Sequence, residues 1–206
     1  DYHDIKPLMG IPSAVIFLGG DKMHKNRGTQ VIKTERLVLR PIRESDYNDV
    51  FEFASKEEVA KYVSWNTHKS KEDSKALCKM WASQYENGER YHWAITMGGK
   101  MIGNIEVVKI ANDCAYLGWQ VDSALWNKGI MTEAASAVRD FLFNEVGFSA
   151  LYATYITENI GSGRVMQKIG MKPITAEEYY KNLEEEIKTE IDGKPLSFCM
   201  IKNEVV

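Results

Sequence analysis

The most constraining feature of the sequence is a predicted strand that passes through a glycine turn into a helix. Ala115–Asp122 is typical of a strand, Leu125–Gly129 of a turn, and Met131–Val146 has helical spacing. A helix N-terminus leaves backbone N–H groups unpaired, and together with the helix dipole these attract an anion. Gly129 has no Cβ to obstruct phosphate oxygens, and Lys128 adds a positive charge at the rim. The segment is therefore consistent with a pyrophosphate site, although similar glycine turns also occur in ordinary connections.

The rest of the chain predicts a mixed pattern of strands and helices without internal repeats. Further strand-type runs are Arg36–Arg40, His92–Met97, Met101–Ile110, Ala150–Ile156, Ile187–Ile191 and Ser197–Ile201. Further helices are predicted at Ser45–Ser55, Ser70–Tyr85 and Ser162–Ile169. Glycine-containing turns at Gly98–Lys100 and Asp192–Lys194 join two of the strand pairs as hairpins.

The composition favours one globular domain and excludes several classes of function. The chain has 206 residues, of which 44% are apolar, and we expect an N-terminal appendage over residues 1–32 and a single domain over residues 33–206. A net charge of -3 argues against a nucleic-acid partner. No apolar run approaches the roughly 20 residues of a membrane span, so no membrane partner is expected. The three cysteines and four histidines have no metal-ligand spacing, so no metal is expected. The cysteines also show no disulfide framework, which is typical of a cytoplasmic protein. We expect a monomer or a homodimer.

Several motifs resemble those of one enzyme family. Trp126–Ala134 is similar to the acyl-CoA-binding loop of the GNAT acetyltransferases, in the branch of the ribosomal-protein alanine acetyltransferases, where the usual run is Trp-Gly-x-Gly-(Tyr/Ile)-Ala-(Thr/Ser)-Glu-Ala. Thr34–Pro41, Met101–Ile105 and Leu117–Trp119 resemble the first, third and fourth strands of that branch. Asn159–Met171 resembles its Asn-x-x-Ser-x-x-Val-x-x-Lys-x-Gly-Phe signature. The motifs occur in the family's order over most of the chain.

The resemblance implies an α/β (α+β) GNAT fold with acetyl-CoA as co-substrate. The implied sheet is mixed, mostly antiparallel and six- to seven-stranded, is splayed between its fourth and fifth strands, and is flanked by about four helices. The pantetheine arm would lie in the gap and pair with backbone groups of Trp119, Gln120 and Val121. The implied pyrophosphate-binding residues are Asn127, Lys128, Gly129, Ile130, Met131 and Thr132. Asn159 would also bond the arm, although a role in starting a helix explains it nearly as well.

The implied reaction needs a proton donor for the thiolate and a base for the amine. The resemblance puts Ser162 near the sulfur, although Ser162 could instead cap a helix. Many family members use a tyrosine where this chain has Met166, which leaves Ser162 or water as the acid. Tyr116 stands where the branch often has a glutamate, so Glu106 on the neighbouring strand is a substitute candidate, or simply an exposed strand residue. Glu133 is explained by the helix dipole and is not expected to be a base.

The predicted function is transfer of an acetyl group to a primary amine by direct attack in a ternary complex. The acceptor is either a protein N-terminal amine or a small molecule such as a polyamine or an aminoglycoside. A catalytically idle acyl-CoA-binding module is a further alternative, because Tyr116 and Met166 depart from the family pattern. Aromatic residues around Tyr62 and Trp81 contribute either to the acceptor side or to the core.

Overall fold

A computed structural model describes residues 17–18, 24–63, 65–87 and 90–204. Within these residues the strands are β1 (Phe17–Leu18), β2 (Ile32–Lys33), β3 (Val38–Pro41), β4 (His92–Met97), β5 (Lys100–Ala111), β6 (Cys114–Val121), β7 (Ala150–Ile156), β8 (Lys172–Ile174), β9 (Glu190–Ile191) and β10 (Lys194–Lys202). The α-helices are α1 (Tyr47–Ala54), α2 (Glu57–Ala60), α3 (Lys71–Ser83), α4 (Ile130–Phe141), α5 (Ile160–Lys168) and α6 (Ala176–Tyr180).

The strands form one mixed sheet in the order β2-β3-β4-β5-β6-β7-β10-β8, with β1 beside β5 and β9 beside β10. The β1–β5 and β6–β7 pairs are parallel and the others are antiparallel. Strand β6 pairs with β7 only from Cys114 to Leu117. Beyond Leu117 the two strands separate, which confirms the predicted opening between the fourth and fifth long strands.

Helices cover both faces of the sheet. On one face the largest core cluster joins α4 to side chains such as Leu39, Trp93, Ile105 and Leu117. The opposite face of β4 and β5 packs against α1 and α3, through residues such as Phe53, Cys78, Trp81, Ala94 and Met101. Farther along that face, α6 covers an aromatic cluster that includes Tyr116, Tyr152, Tyr179 and Phe198. Side chains alternate between the faces along each strand, so neighbouring residues of β6 have different surroundings.

Some predicted elements differ from the observed ones. The helix after the glycine turn ends at Phe141, and a π-helical turn covers Leu142–Val146 before Gly147 closes it with a φ of 90°. The strand predicted from Ile187 begins only at Glu190. The sequence analysis missed β1, β2, α2, β8 and α6, because segments of two to five residues are too short to show a period.

The segment before β2 contacts the domain. His24 Nδ1 lies 2.8 Å from Asp113 Oδ1, and the Trp93 indole N–H donates to the Gln30 carbonyl at 2.7 Å. Residues 1–16 and 19–23 of the predicted appendage lie outside the described residues, so the domain boundary at residue 33 stays a prediction. No helix within the described part of the chain is long and apolar enough to cross a membrane.

Candidate active site

A cavity of about 470 Å³ lies at the opening between β6 and β7. It brings together ten of the eleven predicted cofactor-binding residues: Trp119, Gln120, Val121, Asn127, Gly129, Ile130, Met131, Thr132, Asn159 and Ser162. Lys128 is the predicted residue that does not line it. One strand edge, one turn and the first turns of two helices therefore converge on a single cleft.

The turn between β6 and α4 has the backbone geometry expected of an anion-binding loop. Asp122 caps a short 3₁₀ turn by accepting a hydrogen bond from the Ala124 N–H at 3.0 Å. Asn127 and Gly129 then adopt positive φ values of 60° and 76°, and α4 starts directly after Gly129. Two left-handed residues within three positions turn the chain sharply, so the loop backbone and the N-terminus of α4 border the same cavity.

Positive charge reaches the cavity from residues that the sequence analysis did not single out. Arg164 and Lys168 of α5 line the cavity. Their spacing of four residues places them on one helix face, which is a signal that the sequence contained. Arg36 supports the loop from outside, because its guanidinium donates to the Lys128 carbonyl at 3.0 Å. The cavity therefore has two cationic side chains suited to phosphate oxygens.

Glu133, in the first turn of α4, holds the chain segment before β3. Its carboxylate accepts hydrogen bonds from the Thr34 hydroxyl at 2.6 Å, the Arg36 N–H at 2.9 Å and the Arg36 Nε at 2.6 Å. Burial alone would raise the pKa of Glu133, but the hydrogen bonds from Thr34 and Arg36 outweigh it and the pKa is lowered. These contacts give Glu133 a structural role that is consistent with its interpretation as a non-catalytic residue.

Asn159 and Ser162 lie at the start of α5, on the other side of the cavity. The Asn159 side chain accepts a hydrogen bond from the Ser162 N–H at 3.2 Å, and the helix begins at Ile160. Asn159 is therefore the cap, and the alternative that Ser162 caps this helix is wrong. The Ser162 hydroxyl makes no hydrogen bond within the described part of the chain. Met166, one turn later, is buried in the main core.

Glu106 does not line the cavity that contains Ser162. It lies on β5, and its carboxylate is bound to the Arg90 guanidinium and lies 3.8 Å from His92 Nδ1. Burial raises the pKa of Glu106, although Arg90 opposes that shift. The structure thus separates the two predicted catalytic residues between the cavity and the sheet face that carries α1 and α3.

Tyr116 belongs to the aromatic core rather than to a catalytic site. Its ring is buried and stacks on Tyr152 with a centroid separation of 4.9 Å. Its hydroxyl lies 3.3 Å from the Tyr179 carbonyl, and burial raises the pKa of Tyr116 far above its usual range. A carboxylate at this position would be enclosed by aromatic rings, where burial disfavours its charged form.

Helix α2 and the turn after it form a wall of the cavity that the sequence did not predict as a helix. Val59, Tyr62 and Val63 line the cavity. The segment is tied to the β6–α4 turn, because Lys56 is bound to Asp122 and the Ser123 hydroxyl donates to Glu58 at 2.8 Å. Tyr62 therefore lines the cavity, whereas the sequence analysis left it either on the acceptor side or in the core.

Trp81 belongs to the core beside α1 and α3. Trp81 is buried, and its ring meets His92 edge-on at 4.9 Å, so it is a core residue rather than an exposed acceptor contact. Among the residues that the structure describes, no group of three or more His, Cys, Asp or Glu side chains could hold a metal ion.

Comparisons with known proteins identify the family. Residues 36–172 match the model of the "Acetyltransferase (GNAT) domain". A Bacillus subtilis (strain 168) protein named "Uncharacterized N-acetyltransferase YnaD" is 33% identical over 142 residues, which are 68% of this chain and 82% of that protein. The crystal structure of a GNAT-family acetyltransferase from Bacillus anthracis superposes with a TM-score of 0.69 at 25% identity, covering 85% of this chain and 99% of that one.

The fold is also that of RimL, a ribosomal L7/L12 alpha-N-protein acetyltransferase solved in complex with coenzyme A. Its TM-score is 0.69 at 15% identity, with 86% of this chain and 100% of that chain covered. The family model spans residues 36–172, which are well over half of the chain. This protein therefore belongs to the GNAT family of acetyltransferases.

Proposed function

We propose that this protein transfers the acetyl group of acetyl-CoA to a primary amine by direct attack in a ternary complex. The observation that carries the proposal is the cavity at the β6–β7 opening, which joins an unpaired strand edge to an anion-binding turn. The edge of Trp119–Val121 that is unpaired with β7 suits the amide groups of the pantetheine arm, although its Val121 carbonyl accepts from the Trp126 indole N–H at 3.0 Å. The turn over Asn127–Thr132 suits the pyrophosphate. Arg164 and Lys168 would balance the phosphate charge.

The proposed chemistry uses three kinds of group. An alkylammonium, with a pKa of about 10, loses a proton before its nitrogen attacks the thioester carbon. As the C–N bond forms and the C–S bond breaks, a backbone N–H at the free edge of β6 donates to the carbonyl oxygen. The Ser162 hydroxyl, which lines the cavity, gives its proton to the leaving thiolate and regains one from solvent.

A protein N-terminal amine is the proposed acceptor. The support is the shared fold with RimL, whose name specifies the alpha-amino group of ribosomal L7/L12, but at 15% identity that likeness concerns the fold alone. A polyamine or an aminoglycoside is the alternative acceptor. The three cysteines, all free and buried, agree with the cytoplasmic location proposed for the reaction.

An idle acyl-CoA-binding module is the second candidate function. Two observations favour it, because Tyr116 and Met166 are both packed in the core and neither can act as an acid or base at the cavity. Binding of coenzyme A without turnover of any amine would support this candidate.

The test measures coenzyme A binding by calorimetry and thiol release from acetyl-CoA. The amine panel contains peptides that begin with alanine or serine, together with spermidine and kanamycin. We expect turnover, and a decrease in kcat of about tenfold or more in Ser162→Ala. Ser83→Ala, exposed at the end of α3, is the matched control. Unchanged turnover in Ser162→Ala would remove that hydroxyl from the mechanism, and a parent protein that does not bind coenzyme A at millimolar concentration would refute the proposal.

A further inference from the structure

One backbone acceptor on the unpaired edge of β6 is already occupied by a side chain. The Asp122 N–H donates to the Ile102 carbonyl of β5 at 2.8 Å, so the backbone groups of Asp122 point toward β5. Backbone groups alternate in direction along a strand, which turns the N–H and C=O groups of Val121 and Trp119 toward the opening. The Trp126 indole N–H donates to the first of these carbonyls, that of Val121, at 3.0 Å.

The Trp126 side chain has little contact with the core. It is 39% exposed, and among the described residues it belongs to none of the three core clusters. By contrast, Trp93 is fully buried in the main core, and its indole N–H donates to the Gln30 carbonyl. The Trp126 indole is therefore held mainly by its hydrogen bond to the Val121 carbonyl, and it has solvent beside it into which it can move.

The backbone that carries Trp126 is held independently of the indole. The Trp126 backbone N–H donates to the Ser123 carbonyl at 3.1 Å. The turn is also bound to the segment around α2, because Lys56 is bound to Asp122 and the Ser123 hydroxyl donates to Glu58 at 2.8 Å. The indole can therefore change its rotamer while the backbone of the β6–α4 turn stays in place.

The indole N–H occupies a place that the cofactor would need. Under the proposed function, on which this inference rests, the pantetheine arm lies along β6 as an added strand would, and its amide N–H groups need carbonyl acceptors there. The Val121 and Trp119 carbonyls are the β6 acceptors that point toward the opening. Trp126 and Val121 both line the cavity at this opening, so the indole and the arm approach the Val121 carbonyl from the same side.

The contact has a physical reason in the protein without cofactor. Val121 is buried, and a buried carbonyl without a partner costs free energy. An unpaired strand edge is also a site at which other chains can add, and proteins cover such edges. The indole satisfies the carbonyl and covers this part of the edge.

We propose that Trp126 is a replaceable cap of the β6 edge, which occupies the place of the pantetheine arm and is displaced when coenzyme A binds. An amide N–H of the arm then replaces the indole N–H on the Val121 carbonyl, and the indole N–H donates to water. No covalent bond changes in this exchange. The cap lowers the apparent affinity for coenzyme A, because only the fraction of molecules with the indole displaced accepts the arm.

Solvent exchange of the indole N–H groups is the first test. The chain has five tryptophans, so the nitrogen–proton correlation spectrum has an indole signal for each, and the signal that Trp126→Phe lacks belongs to Trp126. Saturation with coenzyme A should raise the exchange rate of this N–H by about tenfold, because it loses its acceptor within the protein. The Trp93 N–H is the internal reference, since it is hydrogen-bonded and does not line the cavity.

ADP separates the effect of the arm from that of the diphosphate. It has the diphosphate of coenzyme A without the pantetheine arm, so we expect it to bind at the turn and leave the exchange rate of the Trp126 N–H unchanged. Calorimetry gives the ADP concentration that saturates the site.

Removal of the indole N–H is the second test. Trp126→Phe keeps an aromatic ring and frees the Val121 carbonyl, so the dissociation constant of coenzyme A should fall by about two- to tenfold. The dissociation constant of ADP should stay within about twofold of the parent value. Trp65→Phe is the matched control, because Trp65 does not line the cavity, and it should bind coenzyme A as the parent does.

The outcomes separate this inference from the proposed function. A parent protein that binds no coenzyme A overturns both. Binding of coenzyme A while the Trp126 N–H stays protected from exchange overturns the cap alone, and so does an equal rise in exchange with ADP. An unchanged or raised dissociation constant of coenzyme A in Trp126→Phe also overturns it, because Trp126 would then support the bound cofactor instead of competing with it.

Discussion

Replacing Gly129 by alanine separates backbone strain from loss of phosphate binding. Gly129 has φ 76° and ψ 0°, a left-handed conformation that costs an alanine about 1–2 kcal/mol. The new Cβ would lie 3.5 Å from Arg36 Nη2, an ordinary contact, so no clash within the protein adds to that cost. The free energy of unfolding should therefore decrease by about 1–2 kcal/mol, which lowers the Tm by about 2–8 °C for a chain of this size.

The same methyl group should weaken coenzyme A binding by more than the strain explains. It enters the space through which the loop backbone approaches the pyrophosphate, and loss of one charge-assisted hydrogen bond there costs about 1.5–3 kcal/mol. That cost corresponds to a dissociation constant raised by about tenfold to 150-fold. Calorimetric titration with coenzyme A measures this change, and urea unfolding measures the strain.

Gly147 provides the matched control for Gly129. It has φ 90° and ψ 27°, closes the π-helical turn at the other end of the same helix, and has no neighbouring atom within 4 Å of an added Cβ. Gly147→Ala should cost about the same 1–2 kcal/mol of stability without any change in coenzyme A affinity. If the two variants weakened binding equally, or if Gly129→Ala bound as tightly as the parent, the pyrophosphate would not lie on this turn.

Three further substitutions test the structure around the site. Glu133→Gln has one acceptor oxygen in place of two and no charge, so it cannot accept from Thr34 and from both Arg36 donors at once. Urea unfolding at pH 7 should show a loss of about 1 kcal/mol, discounted because Arg36 is half-exposed. Since the pKa of Glu133 is lowered in the folded state, the stability difference between the parent and Glu133→Gln should disappear as the pH falls through the folded-state pKa. Alanine has a better helix propensity than glycine, but Gly163→Ala should still lower the Tm, because the new Cβ lies 2.8 Å from the Tyr155 ring. The double variant Gly163→Ala/Tyr155→Leu should recover part of that loss. His92 is neutral in the folded protein and becomes charged in the unfolded chain below about pH 6.5. The free energy of unfolding should therefore fall as the pH drops below that value, by up to about 1.4 kcal/mol per pH unit. The decrease should be less steep in His92→Gln.

Features that depend on local chemistry were predictable from the sequence. The turn before α4 follows from Gly129 and from the strand and helix patterns on either side of it, and nearly all of the predicted cofactor residues line one cavity. Lys128 does not line that cavity, and its carbonyl accepts a hydrogen bond from Arg36, so its role in binding the cofactor stays a prediction. The long strands were predictable because β-branched and alternating apolar residues define them.

Features that depend on contacts between distant segments were not predictable. Whether Ser162 or Asn159 caps α5 depends on where the helix begins, and the two assignments differ by three positions. The strand that carries Glu106 was predicted, but its partner Arg90 is 16 residues away in sequence and is brought to it only by the β4–β5 hairpin. Helix α2 is held by contacts with the β6–α4 turn, which no periodic pattern of four residues could indicate.

Beyond Leu117, the backbone edge and the two faces of β6 have different surroundings. Its free backbone edge faces the opening and suits the pantetheine arm, so cofactor binding there depends little on side-chain identity. Trp119 and Val121 pack with the core on the α4 side, so substitutions at these positions should act through stability. Gly118 and Gln120 face the opposite side of the sheet. Because Gln120 lines the cavity without belonging to the α4 core, a substitution there should alter binding in the cavity more than the stability of the fold.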